Sequence, residues 1–202
     1  FIIFEFLYTM ENLLPKAKQL TFHWLKLAKK ERLTKSTFSL EFEIPQLLQE
    51  NFKFEAGQYV TLKYLSNGIF FQNDYSMTSA PFEGKISLGI KINDDKSSTN
   101  DLLNNFEIGD SIEVSEPRGR FTLVSKPHEF RTIVGFAGGI GITPLISHFK
   151  NILNTEPRTR LFLFYGNKSR EEIAFKNELD LMVEKHPNRL QIHYFYSQEK
   201  IG

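Results

Sequence analysis

The stretch "FAGGIGITPLISHF", residues 136–149, sets three glycines, a threonine and a proline between an apolar run and an amphipathic segment. Just ahead of it, "TIVGFA" is a short continuous apolar run, as expected of a parallel strand covered on both faces. Just behind it, Leu145, Ile146, Phe149, Ile152 and Leu153 fall on one stripe of a helix. The chain must turn sharply between the two, and Gly138, Gly139 and Gly141 allow backbone angles that other residues avoid. Bare backbone also lets an anion reach the free amides of the helix start, where the dipole favours negative charge. Thr143 reads as the N-cap and Pro144 as the first helical residue, whose missing amide hydrogen would have had no partner. A tight connection without any ligand would use the same glycines. The spacing, G-x-G-x-x-P, also lacks the third glycine of the dinucleotide fingerprint, so the turn alone leaves both readings open.

Downstream, "RLFLFY" is a second buried strand and "RLQIHYFYS" a third. Between them "SREE" reads as a capping box, Ser169 with Glu172, that opens a helix through Ile173, Phe175, Leu179 and Met182. Strand, helix, strand, helix, strand is half of a doubly wound nucleotide-binding sheet, so residues 127–202 are expected to be such a domain, incomplete at its C-terminal end.

Upstream, residues 21–126 follow a different period. In "KISLGIKIN", Ile86, Leu88, Ile90 and Ile92 share one face and Lys85, Ser87, Gly89 and Lys91 the other, the pattern of a half-buried strand. "QYVTLKYL" repeats it through Val60, Leu62 and Tyr64, and "DSIEVSEP" through Ile112 and Val114. With the turn signals "SNG", "FEGK" and "IGD" between them, these segments predict an antiparallel Greek-key barrel or sandwich. One short helix, "TNDLLNNF" with Thr99 as N-cap, interrupts the strands. The boundary between the halves falls near "VSKPHEF".

Composition excludes several function classes. With 41% hydrophobic and 24% charged residues the chain reads as a globular protein, and 25 Lys and Arg against 24 Asp and Glu leave a net charge of +1, with no global field toward nucleic acid or an anionic membrane. The absence of cysteine excludes disulfides, thiolate metal sites and iron–sulfur ligation within these 202 residues. The histidines at 23, 128, 148, 186 and 193 show no ligand spacing, so no metal site is expected. The opening "FIIFEFLYTM" is too short to cross a bilayer and lacks the basic lead of a signal peptide. Residues 1–20 are either sequence translated upstream of a start at Met10 or a docking tail. A cytoplasmic location is expected. The basic run "KLAKKERLTK", 26–35, reads as a solvated strand edge, with docking of an acidic redox protein as the alternative.

Five motifs in order, "FEAGQYVTL", "NDYSMTSAP", "EPRGRFTL", "GGIGITPL" and "FYGNKSREEIAF", resemble the ferredoxin-NADP reductase family across residues 22–199. The resemblance is narrower to the reductase components of multicomponent oxygenases of the phenylacetyl-CoA epoxidase and phenol hydroxylase type. It implies a flavin-binding barrel that takes FAD, with FMN the lesser alternative, and a following domain that takes NADH or NADPH as electron donor. It further implies a redox partner, a ferredoxin or an oxygenase component, and no nucleic-acid or membrane partner. In epoxidase-type relatives an iron–sulfur domain follows, which here would lie beyond residue 202.

The family pattern R-x-Y-S implies that Tyr75 packs on the isoalloxazine ring and that Ser76 bonds near its reactive nitrogen, with Ser79 and Ile90 completing the flavin side. Asn73 stands where the pyrophosphate-binding arginine would be, which turns a charge-assisted pair into a neutral hydrogen bond about 1 kcal/mol weaker. In "KINDDKSSTNDLL", Thr99 keeps a hydroxyl at a helix start, but Asp95 and Lys96 replace the usual glycines. Lys91 either restores positive charge or is a solvated strand lysine. On the nicotinamide side the resemblance assigns Gly139, Gly141, Ile142 and Thr143 to the pyrophosphate and ring, and Gly166 and Asn167 to closure over the same ligand. Ser197 and Gln198 replace the serine and arginine that hold the 2'-phosphate in plant-type relatives, which favours NADH, with Arg170 or Lys200 as substitute cations.

The implied chemistry is hydride transfer between two rings held face to face at roughly 3 to 3.5 Å, so the catalytic set Tyr75, Ser76 and Thr143 is geometric rather than acid–base. Two alternatives remain: a non-enzymatic relative acting as a regulatory or scaffold subunit, and a reductase of free flavin.

Overall fold

The computed structural model describes residues 20–94 and 96–198. Residues 1–19 of the expected 1–20 tail, Asp95 and Lys200 lie outside the described residues.

The strands β1 (Phe22–Arg32), β2 (Thr37–Glu43), β3 (Tyr59–Ser66), β4 (Ile69–Ser76), β5 (Ile86–Lys91) and β6 (Ser111–Ser115) form one antiparallel sheet in the order β4-β3-β6-β1-β2-β5. Curling brings its two ends together, where Met77, just past β4, bridges Leu88 of β5 and the Thr78 amide donates to the Ser87 carbonyl at 2.8 Å. The β3–β4 hairpin turns on Asn67 and Gly68, both at positive φ, as the "SNG" signal requires. The alternating residues Val60, Leu62, Ile86, Leu88, Ile90, Ile112 and Val114 all point into one core, joined by Leu25, Leu27, Leu40 and Phe42. Helix α1 (Ser98–Asn105) closes that core with Leu102 and Leu103.

The second half is a parallel sheet, β7 (Arg131–Gly138), β8 (Thr159–Asn167) and β9 (Leu190–Tyr196), in sequence order. Helices α2 (Thr143–Thr155) and α3 (Lys176–Lys185) bury Ile146, Phe149, Ile152, Leu179 and Met182 against Leu161, Leu163, Tyr165 and Leu190 in a separate core. No helix among the described residues is long and apolar enough to cross a membrane.

The barrel and the parallel sheet appear as the period of the sequence predicts, and five local expectations need correction. The run "TIVGFA" is not covered on both faces by the described residues. Phe136 is 75% exposed on the open side and stacks at 5.2 Å on Phe164, because both helices pack on the other face. Strand β5 is not half-buried: Ser87 and Gly89, on its supposed solvent face, are buried because the second half packs there. Helix α1 is capped by Ser97 rather than Thr99; the Ser97 side chain accepts from the Asn100 amide at 3.2 Å.

The capping box at "SREE" does not form. The Ser169 hydroxyl bonds the Glu171 carboxylate, while Glu172 turns toward Lys91 and Ser36 of the barrel. Residues 170–172 make a single 3-10 turn, Phe175 adopts a left-handed conformation (φ 61°), and α3 starts only at Lys176. At the glycine-rich turn, a 3-10 turn over Gly139–Ile142 runs straight into α2, so Thr143 is the first helical residue and Ile142 the cap.

Candidate functional site

On the barrel side, the site begins with strand alternation. Asn73 and Tyr75 pair across the sheet with Leu62 and Val60, and Tyr75 packs against the core from its rim. The N-terminus of α1 meets them. The Tyr75 hydroxyl lies 3.5 Å from Thr99 Oγ1, Asn73 Nδ2 donates to the Tyr64 hydroxyl at 2.6 Å, and that hydroxyl lies 3.2 Å from Ser98 Oγ. Asn73, Tyr75 and Thr99 are therefore brought together, with Tyr64 and Ser98 as members the sequence did not reveal. Burial pushes the Tyr75 phenol up to about 12, with partial relief from Thr99, so it stays protonated near neutrality and acts through shape.

On the other side, the carboxyl ends of the parallel strands place Gly138 beside Gly166 and bring Ser197 to Asn167, whose carbonyl accepts the Ser197 amide at 3.0 Å. Ligands of open α/β sheets bind at this edge. The glycines here differ in purpose. A Cβ added at Gly135 would lie 3.1 Å from Leu145 and Phe149, so that glycine serves helix packing. A Cβ at Gly138, Gly139 or Gly141 would meet nothing within 4 Å, so these leave open space over the helix start. The Tyr165 hydroxyl donates to the Gly139 carbonyl at 2.9 Å, and the Thr143 hydroxyl, at 3.1 Å, and the Thr143 amide both donate to the Ile140 carbonyl, holding the turn. The dipole at the start of this 13-residue helix favours negative charge in the open space that the glycines leave.

Strand β5 links the two sides. Met77, two residues past Tyr75, bridges Leu88, and the next residue, Gly89, packs on Thr143. Other predicted residues fall around this seam. Ile90 is fully buried, its side chain in the barrel core and its backbone in the β5–β2 ladder opposite Phe38. Ser79 is buried; its hydroxyl accepts the Ser87 amide and its carbonyl accepts the Ser147 hydroxyl. Lys91 reaches across to Glu172 at 3.3 Å. Ser76 ends β4 opposite Tyr59, and Gln198 is exposed beyond β9.

These groups fit a flavin on the barrel and a dinucleotide on the turn: an aromatic floor, hydroxyls at a helix start, and an uncovered glycine-rich turn at a second helix start. At one point the fit is poorer, since neither Asn73 nor Lys91 offers an unpaired cation to the flavin pyrophosphate. Among the described residues no group of three or more His, Asp or Glu could hold a metal.

Known proteins carry the same two parts. Residues 24–123 match the oxidoreductase FAD-binding domain and residues 136–202 the oxidoreductase NAD-binding domain. One component of the 1,2-phenylacetyl-CoA epoxidase from Escherichia coli (strain K12) is 32% identical over 181 residues, 90% of this chain and 51% of the relative. The ferredoxin reductase component of 3-ketosteroid-9-alpha-monooxygenase from Rhodococcus rhodochrous is 34% identical, over 79% of this chain and 45% of the relative. NADH-cytochrome b5 reductase 1 of Dictyostelium discoideum is 36% identical, over 72% and 50%.

Among solved structures, the CS-b5R domains of human Ncb5or in the NAD+ form superpose with a TM-score of 0.76 at 26% identity, over 93% of this chain and 56% of that one. Ferredoxin-NADP+ reductase from Plasmodium falciparum with 2'P-AMP shares the fold, with a TM-score of 0.76 at 22% identity over 90% and 76%. The chain spans about half the length of the curated relatives it matches. With an FAD-binding and an NAD-binding oxidoreductase domain in this order, it belongs to the ferredoxin-NADP reductase family.

Proposed function

We propose that the protein is an NAD(P)H-dependent flavoprotein reductase that passes electrons through FAD to a separate redox protein, with residues 21–126 as the flavin domain and residues 127–202 as the nucleotide domain. The observation that carries this reading is the contact of Gly89 with Thr143, which joins the strand next to the Tyr75 site to the first turn of the nucleotide helix. A bound flavin would supply the redox chemistry, acceptance of a hydride (two electrons with one proton) from NAD(P)H with release of NAD(P)+, and single-electron delivery to an acceptor.

The chain's own residues position and exclude. Tyr75 offers a neutral aromatic face, Ser76 a hydroxyl at the strand end, and Thr99 with the α1 amides a seat for the flavin phosphates. The glycine-rich turn, Gly139 to Thr143, at the positive end of α2 seats the dinucleotide pyrophosphate, with Gly166 and Asn167 beside it. Ser197 and Gln198 offer no cation for a 2'-phosphate, which favours NADH; Arg170, 5.4 Å from the Tyr196 ring, is the nearby cation that would argue for NADPH. The acceptor belongs to the class that the relatives' names describe, an oxygenase component, a ferredoxin or a cytochrome.

Titration of the chain with FAD, followed by anaerobic addition of NADH, tests the reading. Bound flavin with its visible bands bleached by one equivalent of NADH is expected; protein that stays colourless, or flavin that NADH leaves oxidised, overturns it. The Asn73–Tyr64 hydrogen bond favours a second reading, in which flavin binds weakly and turns over as a substrate. Steady-state rates that saturate only in added free flavin would select that reading.

A further inference from the structure

Two motifs that the cofactor sites do not use, "FEAGQYVTL" and "EPRGRFTL", converge on helix α2. A Cβ at Gly57 of the first motif would lie 1.9 Å from the Phe121 carbonyl oxygen of the second and 2.2 Å from Nε2 of His148. That ring nitrogen is 2.8 Å from the same carbonyl, and the two rings meet edge to face at 5.3 Å. His148 is only 3% exposed. Its neighbour Ser147 donates to the Ser79 carbonyl at 2.6 Å, and Lys150 pairs with Glu83 at 3.3 Å. Ser147, His148 and Lys150 of α2 are thus bonded to two segments of the barrel half, the β4–β5 connection and the stretch that carries Phe121.

The first turn of α2 is seated just as closely. A Cβ at Gly89 would lie 2.6 Å from Thr143 Cγ2 and 2.7 Å from Phe175 Cζ, separations that real Cβ atoms do not show. The atoms met are side-chain ends, but the Thr143 hydroxyl is tied to the Ile140 carbonyl at 3.1 Å and the Phe175 ring is buried in the core of the second half, while Gly89 is held by the β5–β2 ladder opposite Ser39. Restoring ordinary contact for one added methyl group needs a shift of about 1 Å at this seam, and any share of it taken by α2 is of the size that costs catalysis up to about 100-fold when reacting groups must align.

We propose that Gly89 and His148 are positioning residues for hydride transfer: they seat α2 on the barrel and so fix the height of the glycine-rich turn over the flavin strand. The inference rests on the reductase reading above and adds to it the groups, outside both cofactor sites, that set the approach of the two rings.

The test is rapid anaerobic mixing of the FAD-loaded chain with saturating NADH, with the dissociation constants of FAD and NADH and the thermal midpoint measured alongside. Gly89→Ala is expected to slow the limiting bleaching rate at least about tenfold while both dissociation constants stay within about twofold, and Ser87→Ala, on the same strand face with no hydrogen bond from its hydroxyl, to leave the rate unchanged. His148→Leu should slow the rate, and His148→Gln, which restores a donor toward Phe121, should recover most of it. Amide hydrogen exchange of the flavin-free chain gives a second readout: Gly89→Ala should speed exchange across residues 143–150 and leave β3 unchanged.

An unchanged limiting rate in Gly89→Ala overturns the proposal, as does a loss that merely follows weakened FAD binding or a lowered thermal midpoint. Wild-type chain that binds FAD but is not bleached by NADH fails the reductase reading itself, a different outcome from normal bleaching in the variants.

Discussion

Glycines do opposite work at the two ends of helix α2's environment. Those at 138, 139 and 141 face open space, whereas Gly57 and Gly89 face atoms of the other half at distances no side chain tolerates. The first group leaves room for a ligand; the second leaves room for the protein itself. Local sequence makes the first group conspicuous, because three glycines fall within four residues, and leaves the second unremarked, because each is a single glycine within or beside a strand. A missing side chain therefore says nothing about purpose until its neighbours are known.

The sharpest way to break this contrast is Gly57→Ala. Its φ of 90° and the collision with Phe121 and His148 predict a loss of about 3 kcal/mol, read as a thermal midpoint lower by roughly 6–12 °C. A midpoint within 2 °C of wild type would refute the packed reading of that glycine. Next in size is Asn73→Arg. With a guanidinium at the pyrophosphate seat, FAD binding measured by fluorescence quenching should tighten about tenfold. No change would mean that Asn73 does not face the flavin phosphates.

Gly141→Ala is the converse of the first change. It adds a methyl group to open space and should leave stability within about 0.5 kcal/mol while weakening NADH several-fold, as calorimetry would show. A large stability loss there would erase the distinction between the two kinds of glycine.

The smallest expected effect is in pH. Burial against the Phe121 ring, Gly57 and an apolar cavity of about 210 Å³ lined by Leu123, Ile133, Leu145 and Phe149 pushes the His148 pKa below its ordinary value, and the hydrogen bond to the Phe121 carbonyl offsets this only in part. The unfolded chain then binds the extra proton first, so this contribution is complete above about pH 6.5 and declines as pH falls toward the lowered native value. His148→Gln should flatten that part of the stability profile in chemical denaturation, and a profile unchanged by the substitution would assign the pH dependence elsewhere.

Most of the framework was legible because it is periodic. Ile86, Leu88 and Ile90 alternate, Ile146, Phe149 and Leu153 recur at helical spacing, and both periods report burial within one element and its immediate neighbours. The local misreadings share one cause. Ser97, Ser98 and Thr99 can each cap a helix, and only the path of the chain into α1 selects Ser97. Glu172 has the spacing of a capping box, but Lys91 and Ser36, far away in sequence, draw its carboxylate off.

The sequence by itself determined the two halves, their order, the strand and helix periods, and a glycine-rich turn placed to open a helix. Only the tertiary structure decided that both faces of β5 are buried, that Tyr64 and Ser98 join Asn73, and that Gly89 and His148 seat one half on the other. The reason is physical: element type follows from neighbours a few residues apart, whereas an interface is made by side chains far apart along the chain that leave no periodic mark on it.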